Sequence, residues 1–332
     1  MDRLAKLKQR PNAVLGLVVL GVTLLGLAAR ISVPVEQTPE GSAIIRPPYE
    51  VAALAIQGDT VWAGGRDGLV AVDRLSSRAG PPPGNPPDMR YVKDLLVDRD
   101  GALWVAHVGG LTRYADRKWT GPPGLESLLK GSALSLCQDR EGAIWAGGED
   151  GVVRMAGGDA RAFTVADGLA APSVDVIFQD RDGVMWFGAA PPTHGGLASF
   201  DGARWNQYYT RDGLAHNSVN AIVQDRSGAI WVATGFHDRG GASRFAGGRW
   251  TSLTRADGLA GEKVRMVYED RDGRLLFASE YDGVAIYDGQ RWRTLTPAHG
   301  LAAWEVKKIV QDQDGVYWMG TLDGLNRFPV LW

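Results

Sequence analysis

Histidines and carboxylates are the residues of this sequence whose chemistry would suit catalysis or metal binding. No two histidines stand at the short spacing of a zinc site, and the single cysteine, Cys137, cannot complete one. The sequence contains no Gly-x-Ser-x-Gly, His-Glu-x-x-His or Gly-Lys-Ser/Thr motif. We therefore expect a protein that is not an enzyme and that binds no metal and no cofactor. The five histidines are His107, His194, His216, His237 and His299.

A repeated acidic phrase is the second feature that could have a chemical role. It reads Asp-Arg-Asp-Gly at residues 98–101, and close variants recur along the chain. Such a phrase has some likeness to a calcium-binding loop, but the further carboxylates that a calcium loop needs after the glycine are missing. We interpret each copy as a tight turn, in which the glycine tolerates a positive φ.

A tryptophan follows most of these turns at a constant distance, and this pattern shows that the chain is built from repeats. The intervals between successive equivalent positions are 42, 41, 41, 45, 45 and 42 residues. Because every repeat carries one, we interpret this residue as packing between units rather than as a stacking partner for a cofactor. The equivalent positions are Trp62, Trp104, Trp145, Trp186, Trp231, Leu276 and Trp318.

Each repeat has the pattern of four short strands. In the fifth repeat we predict strands over Val219–Gln224, Ala229–Ala233, Ala242–Phe245 and Trp250–Leu253. Four strands in 40 to 45 residues are typical of a propeller blade. The predicted fold class is therefore all-β, a seven-bladed β-propeller of four-stranded blades over residues 43–332.

The two ends of the repeat array suggest how the ring closes. The seventh repeat lacks its fourth strand, and the apolar segment Ala43–Arg46 precedes the first repeat. We predict that this segment pairs into the last blade, since closure removes an exposed sheet edge. In the first repeat, the proline-rich stretch 81–87 replaces the expected fourth strand. It is either an extended docking segment or a rigid excursion without a role.

The repeats resemble those of the two-component regulator propeller family over nearly all of residues 51–328. The resemblance rests on the Asp-x-x-Gly-x-x-Trp spacing and on a following Asp-Gly-Leu. It implies a propeller fold and, in many members, the extracytoplasmic sensor half of a histidine kinase. This sequence ends at Trp332 without a kinase domain, so we expect any signalling to pass through a separate kinase.

One face of the predicted ring carries all five histidines and two elongated loops. The loops cover residues 189–196 and 234–241 and account for the two intervals of 45 residues. Exposed loops of this kind often bind partners, although they are also simply polar in many proteins. The candidate partner-binding residues in them are His194, Phe236, His237, Asp238 and Arg239.

Two further features belong to the same face. Trp304 stands just before the first strand of the seventh repeat, at the place held by Asn217 and Glu262 in the fifth and sixth repeats. It is either a sixth partner-binding residue or a local gap filler. The first strands also begin with charges of both signs, which we expect to be either functional or merely solvated. These charges are Lys93, Asp94, Asp175, Arg265, Lys307 and Lys308.

The N-terminal segment predicts the location of the protein. A basic tail over residues 1–10 precedes an uncharged apolar run from Ala13 to Ala29. We predict a transmembrane anchor over residues 11–30 and a tether over 31–42, with cleavage as a signal peptide as the alternative. The positive charges before the run place the N-terminus in the cytoplasm and the propeller outside it, in the periplasm or its equivalent.

The charge balance excludes a nucleic-acid partner. The formal net charge is -2, and residues 11–332 alone carry 32 basic and 37 acidic side chains, whereas nucleic-acid binding requires a basic face. The sequence therefore favours a noncatalytic, membrane-anchored propeller that docks onto an integral membrane protein or complex. The alternatives are a sensor that binds a small ligand on the loop face and signals through a separate histidine kinase, and a lyase or lactonase on the same fold.

Overall fold

The computed structural model describes residues 38–122, 131–190 and 195–332. These residues form seven four-stranded antiparallel sheets. They contain no helix long and apolar enough to cross a membrane. The predicted cytoplasmic tail and transmembrane anchor, and most of the predicted tether, lie outside the described residues.

Twenty-eight strands are present among the described residues, with three short 3-10 turns at Thr210–Asp212, Arg255–Asp257 and Pro297–His299. The strands are β1 (Ala43–Ile45), β2 (Ala53–Gln57), β3 (Thr60–Gly65), β4 (Gly68–Asp73), β5 (Ala79–Gly80), β6 (Asp94–Val97), β7 (Leu103–His107), β8 (Gly110–Ala115), β9 (Lys118–Thr120), β10 (Ala133–Gln138), β11 (Ile144–Gly148), β12 (Val152–Ala156), β13 (Asp159–Phe163), β14 (Val176–Gln179), β15 (Met185–Ala189), β16 (Gly196–Phe200), β17 (Trp205–Tyr208), β18 (Val219–Gln224), β19 (Ile230–Phe236), β20 (Arg239–Ala246), β21 (Arg249–Leu253), β22 (Val264–Glu269), β23 (Leu275–Ser279), β24 (Val284–Tyr287), β25 (Trp292–Leu295), β26 (Val306–Gln311), β27 (Tyr317–Thr321) and β28 (Gly324–Phe328).

Each of the first six blades is an up-and-down meander of four consecutive strands, beginning with β2–β5 and ending with β22–β25. The seventh blade has the order β1-β28-β27-β26. The predicted all-β propeller of seven four-stranded blades is therefore confirmed.

The closing strand is also confirmed. Strand β1 pairs antiparallel with β28, with Ala43 opposite Arg327 and Ile45 opposite Leu325. Ile45 is buried in a cluster that joins blades seven and one, together with Val61 and Trp318. Strand β1, which precedes the first blade in the sequence, thus covers the open sheet edge of the seventh blade.

The repeated tryptophan lies between blades, as predicted. Trp62 packs against Val92, Leu95 and Leu103 of the next blade, and Trp231 meets Phe277 with ring centroids 5.5 Å apart. Burial of such large side chains between neighbouring sheets stabilises the ring.

Arginines of the acidic turns in blades two to six each bind the next blade. Arg99 donates from its guanidinium to the carbonyl of Arg140 at 2.8 Å, and Arg271 donates to the carbonyl of Gln313 at 2.7 Å. From the sequence we predict that Arg99→Glu and Arg271→Glu leave partner binding intact, because they lie on the face opposite the candidate residues. The hydrogen bonds show that both side chains also have a structural role between blades.

Two local predictions of the sequence need correction. The fourth strand of blade one is shortened to Ala79–Gly80 rather than replaced, and the proline-rich stretch that follows packs on blade two, where the Pro83 carbonyl accepts the Trp119 indole N–H at 2.9 Å. In blade five, residues 234–241 do not form an elongated loop. They extend the hairpin of β19 and β20, with Phe236 opposite Arg239.

Candidate functional site

The two faces of the ring differ in what they carry. We name the mouth face the one formed by the connections between strands two and three of each blade and by the connections between successive blades. The turn face carries the remaining connections, which include the acidic turns. Because each inner strand starts at the mouth face, the charges that begin these strands surround one opening of the central channel.

Four of the six candidate residues lie in one part of the mouth face, the extended hairpin of blade five. His237 and Asp238 form its two-residue turn, with φ of 53° at His237. Two-residue hairpin turns of this kind match the twist of the flanking strands and require a positive φ in the turn. Just below the turn, a Cβ atom on Gly240 would lie 2.4 Å from the carbonyl oxygen of Thr234, so glycine is needed for the close approach of the two strands.

The hairpin contacts the neighbouring blade through its aromatic residue. The Lys263 Nζ of blade six lies 5.7 Å from the centre of the Phe236 ring, and Phe236 meets the His237 ring with centroids 4.2 Å apart. His237, Asp238 and Arg239 themselves are exposed. The structure thus brings Phe236, His237, Asp238 and Arg239 together at one projecting tip. His194 lies outside the described residues.

Trp304 lies on the same face but on a different connection, the one that enters blade seven. Its side chain is 52% exposed, which excludes the alternative that it fills a local gap. Its carbonyl accepts the backbone N–H of Gly283 from the adjacent connection at 3.0 Å. The backbone around it is therefore held in place while the indole faces solvent.

Exposed apolar side chains favour the mouth face. Ten large apolar or aromatic side chains are exposed among the described residues. Leu75 and Val330 lie towards the turn face, and Ile44 lies on the outer rim. The other seven belong to mouth-face connections, and they are Tyr49, Tyr91, Val108, Val165, Tyr281, Trp304 and Leu322. Exposed aromatic residues on one face of a ring are typical of a protein-binding surface.

The described histidines do not form a catalytic or metal centre. The buried His107 ring accepts the backbone N–H of Gly109 at 3.1 Å through Nδ1, and its Nε2 lies 2.9 Å from Thr112 Oγ1. His216 accepts the backbone N–H of Ser218 at 2.9 Å. Burial lowers the pKa of both imidazoles, and at His216 the charge of Arg239 lowers it further. No group of three metal-ligating side chains occurs in the described part of the chain.

Charged residues at the channel opening form a network that the sequence indicated only in part. Glu280 pairs with Lys263 at 2.5 Å and with Arg265 at 2.8 Å. Arg265 also pairs with Glu305 at 2.7 Å, and Glu305 lies 3.8 Å from Lys307. The chain of ion pairs thus runs from blade six to blade seven.

The network continues to blades one and two. Lys307 pairs with Glu50 at 2.6 Å, and Lys308 pairs with Asp94 at 3.2 Å. Burial raises the pKa of Glu50, but the hydrogen bond and charge of Lys307, helped by Arg66, hold it below its usual range. Glu50, Glu280 and Glu305 were not recognised from the sequence. Only Glu305 had a signal in the sequence, since it stands two residues before Lys307.

Two overlapping cavities of about 320 Å³ each occupy the channel at this opening. Both are lined by Lys93, Asp175, Asn220, Arg265 and Lys307. The charges at the inner-strand starts therefore converge on one space. A cavity of this volume accommodates a small molecule.

Comparisons with known proteins agree with this architecture. The model of the two component regulator propeller family matches residues 213–236, which include the β18–β19 turn and its tryptophan. This match confirms the resemblance predicted from the repeats. No curated protein shows significant sequence similarity to the chain.

Solved structures with the same fold have diverse functions. The extracellular domain of a protein described as a hybrid two component system from B. thetaiotaomicron has a TM-score of 0.74 at 20% identity, over 84% of this chain and 39% of that one. PorZ, a surface component of the type-IX secretion system of Porphyromonas gingivalis, has a TM-score of 0.65 at 14% identity, over 85% and 46%. Virginiamycin B lyase from Staphylococcus aureus has a TM-score of 0.65 at 12% identity, over 86% and 97%.

These similarities establish the fold alone, because the identities are low. The chain spans about two fifths of the length of the first protein and less than half of PorZ. An extracellular domain of a hybrid two component system, a secretion component and an enzyme share the propeller. Function therefore has to be argued from the faces of the ring.

Proposed function

We propose that this chain is a noncatalytic, membrane-anchored propeller that docks through its mouth face onto an integral membrane protein or complex outside the cytoplasm. The observation that carries the proposal is the one-sided distribution of exposed aromatic and apolar side chains, seven of ten on the mouth face. The projecting tip of blade five adds charged and imidazole groups to that surface. Aromatic anchors with polar neighbours are the composition of protein-binding hot spots.

The polar tip supplies a direct test. In a triple variant, His237→Ala, Asp238→Ala and Arg239→Ala, we expect at least a tenfold loss of partner recovery, since charged hot-spot contacts at interfaces contribute about 1.4 kcal/mol or more. Folding should be unchanged, because exposed turn residues alter stability by roughly 0.5 kcal/mol or less. The measurement is gentle solubilisation of native membranes followed by identification of the co-purifying proteins.

A matched control lies on the opposite face. Asp116, Arg117 and Lys118 at the β8–β9 hairpin of blade two are exposed, and the first two have positive φ, like His237. The triple alanine variant of these residues should retain the partner. Loss of the partner in this variant only would show that the ring binds through its turn face and would contradict the proposal.

A sensor function is the second candidate. The cavity at the channel mouth and the similarity to an extracellular domain of a hybrid two component system favour it. In that case the protein that co-purifies should be a histidine kinase rather than a stable structural complex. The identity of the recovered partner therefore separates the two functions.

A further inference from the structure

The channel mouth combines a charged rim with an apolar interior. Of the charged residues that line both cavities, three are cations, Lys93, Arg265 and Lys307, and one is a carboxylate, Asp175. The Asp175 carboxylate is already engaged, since it accepts the Ser173 hydroxyl at 2.6 Å and the Ala190 backbone N–H at 2.9 Å. The shared space is therefore exposed to more positive than negative charge.

The ion pairs at the rim do not neutralise all of this charge. Among the described residues that line these cavities or share the ion pairs of the rim, six are cations and five are carboxylates, although the whole chain has a net charge of -2. Lys93 is exposed, and among the described residues no carboxylate oxygen lies within 4.0 Å of its ammonium group. Its charge nevertheless acts on the opening, because it contributes to the lowered pKa of Glu50. The cations are Arg66, Lys93, Lys263, Arg265, Lys307 and Lys308, and the carboxylates are Glu50, Asp94, Asp175, Glu280 and Glu305.

The wall below the rim has the opposite character. Further along the inner strands, the deeper cavity is lined by Leu95, Leu136, Ile177, Ile222 and Met266. These side chains come from five different blades and leave an apolar surface in contact with the charged opening. A ligand that suits both parts has an anionic group at one end and an apolar body at the other.

We propose that the channel mouth binds a small organic anion, whose carboxylate or phosphate group lies between Lys93, Arg265 and Lys307 and whose apolar part occupies the cavity below. Oxyanions form strong charge-assisted hydrogen bonds with lysine and arginine. Lys93 supplies a positive charge that pairs with no carboxylate in the described part of the chain. This site goes beyond docking, because it lies inside the channel rather than on the projecting hairpin.

Calorimetric titration of the full-length chain in lipid nanodiscs tests the site with three probes, corrected against empty nanodiscs. Benzoate and phenyl phosphate carry an anionic group on an apolar ring, whereas benzamide has the shape of benzoate without its charge. We expect both anions to bind and benzamide to bind at least about tenfold more weakly, since charge-assisted hydrogen bonds are lost. Preference for one anion over the other identifies the oxyanion group, and either preference supports the proposal.

Two lysines of blade two provide the matched variants. Lys93→Glu should weaken benzoate binding at least about tenfold, and Lys93→Met should weaken it less. Lys118→Glu makes the same change of charge on the exposed outer strand and should leave binding unchanged. Equal binding of benzoate and benzamide, failure of both anions to bind, or an equal loss in Lys118→Glu would overturn the proposal. None of these outcomes depends on recovery of a membrane partner, so failure of the anion site can be distinguished from failure of the docking function.

Discussion

At the scale of single residues, the acidic turn and the tryptophan that follows it form one hydrogen-bonded unit. In blade five, Asp225 accepts the backbone N–H of Ala229 at 3.0 Å and the indole N–H of Trp231 at 2.8 Å. Burial raises the pKa of Asp225, but these hydrogen bonds and that of Ser227 outweigh it and hold the pKa low. The turn aspartate therefore stabilises the indole that packs between blades. The same pair occurs as Asp98–Trp104, Asp139–Trp145, Asp180–Trp186 and Asp312–Trp318.

This pairing predicts graded effects at Trp231. Trp231→Ala should lower the free energy of unfolding by about 3 to 5 kcal/mol, because it removes a buried aromatic side chain. Trp231→Phe keeps most of the packing but leaves the Asp225 carboxylate without its indole donor, so a loss of about 1 to 3 kcal/mol is expected. Urea denaturation measures both. A Trp231→Phe variant as stable as the parent chain would show that only the aromatic volume matters.

Blade six shows how the sequence compensates when the tryptophan is absent. Leu276 occupies its place, and the turn carboxylate of Asp270 instead accepts the Tyr317 hydroxyl at 2.9 Å and the Arg274 Nε–H at 2.7 Å. Burial, followed by the hydrogen bond to Asp270, raises the pKa of Tyr317. The donor to this carboxylate thus comes partly from the neighbouring blade.

His107 gives the protein a stability that depends on pH. Its Nδ1 accepts a backbone N–H, so the native ring is neutral, and burial lowers its pKa below the 6.5 of the unfolded chain. Because the unfolded state then binds more protons, this contribution is complete above pH 6.5 and is lost as the pH falls towards the lower native pKa. Unfolding by urea at pH 7.5 and 5.5 should show a smaller loss for His107→Gln than for the parent chain. Equal losses in both proteins would assign the pH dependence to other groups, such as His216.

At the scale of elements, the short strand β1 has a large effect for its length, because it closes the ring between the last blade and the first. Ile44 and Ile45 are adjacent in this strand, and their side chains lie on opposite faces of the sheet. Ile45 is 8% exposed, whereas Ile44 is 42% exposed. The inner side chain is packed in the cluster shared by blades seven and one.

Strand β1 therefore offers a paired test of closure. Ile45→Asp places a carboxylate in the cluster and should destabilise the propeller by at least about 3 kcal/mol, whereas Ile44→Asp should change stability by roughly 0.5 kcal/mol. Deleting residues 41–46 should be as harmful as Ile45→Asp, since it exposes the edge of β28. Thermal unfolding compares the three variants. Unchanged melting of Ile45→Asp would mean that the ring does not depend on this strand.

At the scale of the whole molecule, the proposed function needs the ring to be held close to a membrane. The expected anchor is the apolar run from Ala13 to Ala29, whose length of about 25 Å as a helix nearly matches the hydrocarbon core of a bilayer. N-terminal sequencing of the mature protein should find the segment retained. A mature start near Ala29 or Arg30 would contradict the anchor and make the propeller a secreted domain.

The repeats allowed much of the architecture to be predicted without a structure. Blade number and four strands per blade follow from short-range patterns, because each turn and each strand is encoded within its own 41 to 45 residues. The closing strand follows from the missing fourth strand of the last repeat and the apolar segment before the first. The hydrogen bond between the aspartate and the tryptophan was also accessible, since the two residues are always six positions apart.

The candidate sites depended on contacts that no local pattern encodes. Lys308 and Asp94 are 214 residues apart and meet only because the ring closes, so the network at the channel mouth could not be predicted from either position. The longer repeat interval predicted a loop over residues 234–241, yet the glycines of this segment allow two strands to approach closely. The sequence therefore determined the blades, and tertiary structure alone decided which side chains share the mouth, because ring closure brings distant inner strands around one channel.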